Sequence, residues 1–179
     1  NPFGSIYGFR SKGVYQYNYE TARNIVRGNS PSALAGLSLQ DCLNQGYTFP
    51  IVLNENGEWV RNAEGEPIQQ RFCYKSETGQ GYRFKGGDAI YEDVNHDGNI
   101  NQLDIVYLGN SLPRLTGGFG FKVHYDRLTL NAQFNYRIDY DIVNMARLDM
   151  ESMTSNINQS QAVNYRWRKE GDGNNDQIS

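Results

Sequence analysis

The residues with the clearest capacity for chemistry lie in one stretch, DVNHDGNINQLD, Asp93 to Asp104. Acid or amide side chains fall at its first, third, fifth, ninth and twelfth positions, with a glycine at the sixth. An EF-hand-type loop presents hard oxygen ligands to calcium at this spacing. The candidate ligands are Asp93, Asn95, Asp97, Asn99 through its backbone carbonyl, Asn101 directly or through water, and Asp104. Gly98 supplies the bend and Ile100 the apolar anchor after it, while the one nearby nitrogen ligand, His96, sits at an outward position. Asp104 is one methylene shorter than the usual glutamate, so bidentate closure needs a closer backbone. Neither GGDAIYE before the loop nor QLDIVYLGNSLP after it reads as a full helix, so this is a calcium loop without its helix pair. Its role would be structural, with an affinity of about 10⁻⁴–10⁻³ M, as in extracellular modules. The competing reading is an Asx-rich turn held by its own hydrogen bonds.

No catalytic constellation accompanies the loop. Asp139 and Asp141 resemble a glycosidase pair in type, but nothing in their surroundings would push their pKa values apart. His96 and His124 stand in different contexts with no serine or cysteine motif around them. An enzyme is therefore not expected.

The elements that must position the loop are strands. The chain has 179 residues, enough for one domain, with 13 tyrosines, 8 phenylalanines and 19 glycines. Aromatic residues suit pleated surfaces, and glycines mark turns and bulges. A net charge of -3 provides no cationic field for nucleic acid. No apolar run reaches the roughly 18 residues a membrane-spanning helix needs, although a membrane β-barrel shows no such run either. The opening NPFGSIYGFR, without an initiator methionine, reads as a piece of something longer. Cys42 and Cys73 are compatible with one disulfide or with two half-buried thiols.

Residues 3–19 read as one or two short strands broken by turns. Within 20–87, SPSALAGLSLQDCL gives at most a short helix, TFPIVLNENGEWV reads as a hairpin, RNAEGEPIQQ extends it as a polar turn region and KSETGQGYRFKGGDA is loop text. The alternation sharpens after the loop. Odd positions from Leu115 to Tyr125 carry Phe119, Phe121 and Val123. Even positions from Leu128 carry Leu130, Ala132, Phe134, Tyr136, Ile138, Tyr140 and Ile142, opposed by Asn131, Gln133, Asn135, Arg137, Asp139 and Asp141. A two-residue turn at Asp126 and Arg127 would set Tyr125 against Leu128, Val123 against Leu130, Phe121 against Ala132 and Phe119 against Phe134. Arginine suits positive φ poorly, so a longer turn is also compatible. Such a pair serves either a soluble sandwich, its apolar face against a second sheet, or a transmembrane barrel, its apolar face against lipid.

Three stretches decide between these by likeness: IYGFRSKGVYQ; GDAIYEDVNHDGNINQLDIVYLGNSLPRLTGGFGFKVHYDRLTLNAQFNYR; and NQSQAVNYRWRKEGDG. Through Tyr7, Gly8, Gly13, Tyr15, Gln16, Gly87, Asp88, the Asp93–Asp104 loop, Gly109, Asn110, Pro113, Gly117, Gly118, Arg166 and Trp167, the chain resembles SusC/RagA-type TonB-dependent outer-membrane transporters. The resemblance implies an all-β segment of the later part of a large antiparallel barrel in a Gram-negative outer membrane. It implies import of glycans or peptides with a SusD-like surface lipoprotein, and coupling to TonB through a plug and TonB box to which nothing here corresponds. On that reading residues 1–19 are a barrel strand region, 20–87 a long extracellular insertion, 88–114 the calcium segment, 115–142 a transmembrane hairpin and 143–179 an outer loop. Phe119, Phe121, Val123, Leu128, Leu130, Phe134, Tyr136 and Ile138 would face lipid, and Asn131, Gln133, Asn135, Arg137, Asp139 and Asp141 the lumen. The alternative is a soluble, calcium-stabilised carbohydrate-binding β-sandwich.

Overall fold

The computed structural model describes residues 3–30, 32–73, 81–154, 156 and 158–172. Strands predominate, in keeping with an all-β chain: β1 (Ser5–Gly8), β2 (Ser11–Val14), β3 (Arg71–Phe72), β4 (Tyr82–Arg83), β5 (Ala89–Tyr91), β6 (Asn99–Ile100), β7 (Val106–Asn110), β8 (Leu115–Tyr125) and β9 (Leu128–Ile138). Three short helices join them: α1 (Tyr19–Val26), α2 (Leu39–Asn44) and α3 (Met145–Glu151). β1 pairs with β7, β2 with β5, β3 with both β4 and β6, and β8 with β9.

The 20–87 segment carries a core of its own. α1 buries Ala22 and Ile25, three residues apart on one helical face, in a cluster with Tyr17, Leu34, Cys42, Phe49, Ile51 and Trp59. α2 begins in a capping box: Ser38 accepts from the Asp41 N–H and the Asp41 carboxylate accepts from the Ser38 N–H, which satisfies two orphan donors of the first turn. A second cluster, Tyr15, Phe84 and Ile100, lies beneath β3, β4 and β6. Cys42 and Cys73 are both buried free thiols.

The expected hairpin is one third of a larger device. Three arms, centred on Val52, Val60 and Ile68, close on one another. The Val60 N–H donates to the Val52 carbonyl, Ile68 to Val60 and Val52 to Ile68, each at 3.0 Å. Antiparallel bridges Leu53 to Trp59, Arg61 to Pro67 and Ile51 to Gln69 complete a triangle. Two corners share one pattern, Asn-x-x-Gly-Glu, at Asn54–Glu58 and Asn62–Glu66. In each, the asparagine Oδ1 accepts from the N–H groups two and four residues on, and a glycine, Gly57 or Gly65, takes φ 79 or 80. The Gly65→Ala substitution meets open space, so only the left-handed backbone resists it. An expected cost of about 1–2 kcal/mol is checked by the urea midpoint of unfolding. Glu66 ties the triangle to α1 through Arg27 Nη2 at 2.7 Å and Arg23 Nε at 3.1 Å. The Arg27 hydrogen bond foremost holds its carboxyl below the usual glutamate range.

The C-terminal segment folds back on this half of the chain. The Trp167 ring covers the Gly86–Gly87 turn so closely that a Cβ on Gly87 would lie 2.4 Å from it, and Gly87 has φ 93. Glu170 accepts from the Asn18 amide at 2.7 Å and from the Thr21 hydroxyl at 3.2 Å. A glycine and a tryptophan some eighty positions apart are thus two halves of one contact.

Candidate functional site

The acidic loop is gripped at both ends. Ile100, fully buried, pins β6 into the second cluster, and β6 runs parallel to β3 with the Gly98 carbonyl accepting from Arg71 N–H at 3.1 Å. Gly98 has φ 82, and a Cβ there would strike Val52 at 2.6 Å. Within the loop, Asp93 Oδ2 accepts from Gly98 N–H at 2.8 Å, Asn95 Oδ1 from Asp97 N–H at 3.2 Å and Asp97 Oδ1 from Asn99 N–H at 2.7 Å. Asn101 and Asp104 form a capping box around the 3₁₀ turn Gln102–Asp104. Asp104, with no exposed surface, accepts from Val94 N–H at 2.9 Å and Asn101 N–H at 2.8 Å.

The geometry is that of a self-satisfied Asx loop. The Asn99 carbonyl, expected as the seventh-position ligand, accepts from the Asn101 amide at 3.2 Å, and both Asp104 oxygens are occupied. Among the described residues, no group of three or more His, Cys, Asp or Glu side chains is placed to hold a metal ion. One atom stands apart: Asp93 Oδ1 is buried with no hydrogen-bond partner. Burial first, and then the neighbouring Asp104 and Asp97 carboxylates, push the Asp93 carboxyl above the usual range. The same loop raises the Tyr15 phenol, chiefly by burial and then through the Asp93 charge. Among the described residues, none of the ion pairs includes Asp93, Asp97 or Asp104. His96, at φ 56, lines an adjacent cleft.

The β8–β9 hairpin has the register that its alternation predicts, Phe119 opposite Phe134, Phe121 opposite Ala132, Val123 opposite Leu130 and Tyr125 opposite Leu128. Asp126, at φ 51, takes the left-handed position of the turn, sparing Arg127. Phe119 and Phe134 stack with centroids 5.0 Å apart, and Tyr136 lies over Gly117, whose missing Cβ leaves room for its hydroxyl. Asn131, Gln133, Asn135 and Arg137 alternate onto the opposite face, with Asn131 opposite Lys122 and Arg137 opposite Thr116. Both faces are open to solvent in the chain alone: Phe119 is 60% and Leu130 60% exposed, and Leu128, Phe121, Val123, Phe134, Tyr136 and Ile138 are exposed as well. No second sheet covers the apolar face among the described residues, as a sandwich would require.

The alternation expected as far as Ile142 stops at Ile138. Asp139 turns to φ 62, which ends strand geometry, and the Arg114 N–H bonds the Ile138 and Asp139 carbonyls at 3.1 Å. Asp141 therefore leaves the strand face. Its carboxylate accepts from Asn110 N–H at 2.9 Å, and its N–H donates to the Asn110 carbonyl at 2.8 Å, so it latches the hairpin onto β7. A Cβ on Gly109 would lie 2.3 Å from that carboxylate. Sequence reading also missed a row across the short sheet: Arg83, Arg71 and Asn99 stand side by side, in register, above a cleft. The Arg-Phe step shared by QRFCY and YRFKG was the available signal.

No family model matches the chain, and no solved structure matches it. The chain is similar to the TonB-dependent receptor P39 of Formosa agariphila, 28% identical over 140 residues, or 78% of the chain. It spans 12% of that receptor's length. The similarity is thus to a short part of a TonB-dependent receptor.

Proposed function

We propose that the chain is a late-barrel segment of a SusC/RagA-type TonB-dependent outer-membrane receptor. Such a receptor imports glycans or peptides with a SusD-like lipoprotein and couples to TonB through other parts of the molecule. The observation that carries this reading is the β8–β9 hairpin: 11 paired residues per strand, one face apolar from end to end and nothing among the described residues lying on it. About 9–11 tilted residues cross a bilayer, and a lipid-facing band requires such a face. The polar face, Asn131 to Arg137, then borders the lumen. No helix among the described residues is long and apolar enough to cross a membrane, which says nothing of a β-barrel.

The test uses spin labels on the intact receptor in lipid nanodiscs, with Leu130→Cys and Asn131→Cys compared in a background lacking Cys42 and Cys73. Membrane-dissolved oxygen should relax the label at position 130, and a water-soluble nickel chelate should favour the one at 131. Protection of position 130 from both reagents would place protein against it and remove the barrel reading.

Calcium in the Asp93–Asp104 loop belongs to the same proposal. Its support is the orphaned Asp93 Oδ1 beside the Asp97 and Asp104 carboxylates, a set of negative charges with no ion pair among the described residues. Oxygen-rich sites of this kind take calcium, which would relieve the buried charge and tie the loop to β6. Millimolar calcium is expected to raise the melting temperature, and Asp93→Ala with Asp97→Ala to abolish that rise. Retention of the rise in the double variant would assign calcium elsewhere.

A further inference from the structure

We propose that Asn56 is a site of spontaneous deamidation, in which the Gly57 backbone nitrogen attacks the Asn56 side-chain amide and the closed corner of the triangle sets the rate. Asn56–Gly57 is the one Asn-Gly step in the 179 residues. A glycine carries no Cβ to shield its own nitrogen, so an asparagine before it closes onto that nitrogen more readily than before any other residue. Both residues are exposed. Gly57 stands at φ 79, with nothing within 4 Å of the place its Cβ would take. The Asn56 side-chain amide makes no hydrogen bond among the described residues, which leaves its Cγ free to swing towards the nitrogen that follows.

The step needs water alone. The Gly57 nitrogen bonds to Asn56 Cγ and gives up its proton, the Cγ–Nδ2 bond breaks and ammonia leaves, which forms a succinimide. Water then opens one carbonyl or the other, to aspartate or to isoaspartate, with no oxidant or reductant. The product adds a carboxylate between Glu55 and Glu58 in the sequence, and the isoaspartate form also lengthens the main chain inside the corner. Neighbouring candidates are restrained. Asn54 Oδ1 accepts from the Asn56 and Glu58 N–H groups at 3.0 and 2.8 Å, and its Nδ2 donates to Glu58 Oε2 at 3.0 Å. Asp97–Gly98 is the aspartate counterpart, but its carboxylate accepts from the Asn99 N–H at 2.7 Å and from the Asn95 amide at 2.9 Å. One restraint acts on Asn56: the Gly57 N–H donates to the Asn54 carbonyl at 2.9 Å and must release it before the attack. The second corner has the same bond, Gly65 N–H to the Asn62 carbonyl at 3.0 Å, with Glu64 in the place of Asn56.

The inference rests on neither the membrane reading nor calcium, so each can fail alone. The intact receptor is incubated in mildly alkaline buffer, folded in detergent or unfolded in urea, and samples taken over time are digested and followed by mass spectrometry. Isoaspartate is scored by its enzymatic methylation. In the folded receptor Asn56 should convert ahead of every other asparagine of these 179 residues. Conversion should be slower than in urea by about two- to tenfold, the range that one net hydrogen bond supplies. Asn56→Gln should remove the modification from this corner, and Glu64→Asn should add it to the second one. Conversion of another asparagine first, an Asn56 that stays intact when folded while it converts in urea, or an unmodified second corner in Glu64→Asn would each overturn the proposal. Equal rates in detergent and urea would overturn the part assigned to the closed corner.

Discussion

Asp104→Ala is expected to destabilise the loop region by about 3–6 kcal/mol, because two part-buried N–H groups lose a charged acceptor and a hydrogen bond to a charged group contributes about 1.5–3 kcal/mol. The carboxylate is fully enclosed and accepts from Val94 and Asn101, so it joins the start of the acidic loop to its end. Hydrogen exchange of the Val94 and Asn101 amides is the direct reading, and both should exchange at least a hundredfold faster in the variant. Asp104→Asn keeps one acceptor oxygen and turns an NH₂ group towards a second donor, so an intermediate loss is expected. Unchanged exchange at both amides would show that the carboxylate is not their acceptor in solution.

Phe134→Arg should cost about 2–4 kcal/mol in folding into a bilayer, the range for a cation at the midplane of a lipid-facing strand. Phe134 lies near the middle of β9 and stacks on Phe119, so loss of the ring pair adds about 0.5–1.5 kcal/mol. Gln133→Arg, one residue away on the polar face, should cost close to nothing. Urea titrations of folding of the intact receptor into vesicles, followed by tryptophan emission, measure both. Equal losses at the two positions would remove the assignment of faces.

The parts of this structure that the sequence made legible obey local rules. Strict alternation across Asp126–Arg127 fixes the β8–β9 register by parity, because a slip of one residue would exchange the two faces. The loop was legible as a run of Asx side chains around Gly98, although those side chains bond the loop's own backbone more fully than a ligand spacing suggests. Three features were hidden. Aspartate at φ 62 ends β9, and Asp139 looks like any other polar residue in an alternating run. The Arg71–Arg83 juxtaposition depends on pairing across a connection that pattern alone does not align. The triangle requires comparison of Asn54–Glu58 with Asn62–Glu66 as copies eight residues apart, where a hairpin reading accounts for the first alone.

That triangle has a practical consequence. Because its hydrogen bonds run from arm to arm and return to the start, Val52 to Ile68 to Val60 to Val52, it has no unpaired strand border on which another molecule could build. Its two Asx corners point outward on turns whose glycines already carry the backbone demand. Peptide inserted between Asn54 and Glu58 would lengthen a closed corner without opening the ring, which makes that corner a suitable place to display a foreign epitope or affinity tag.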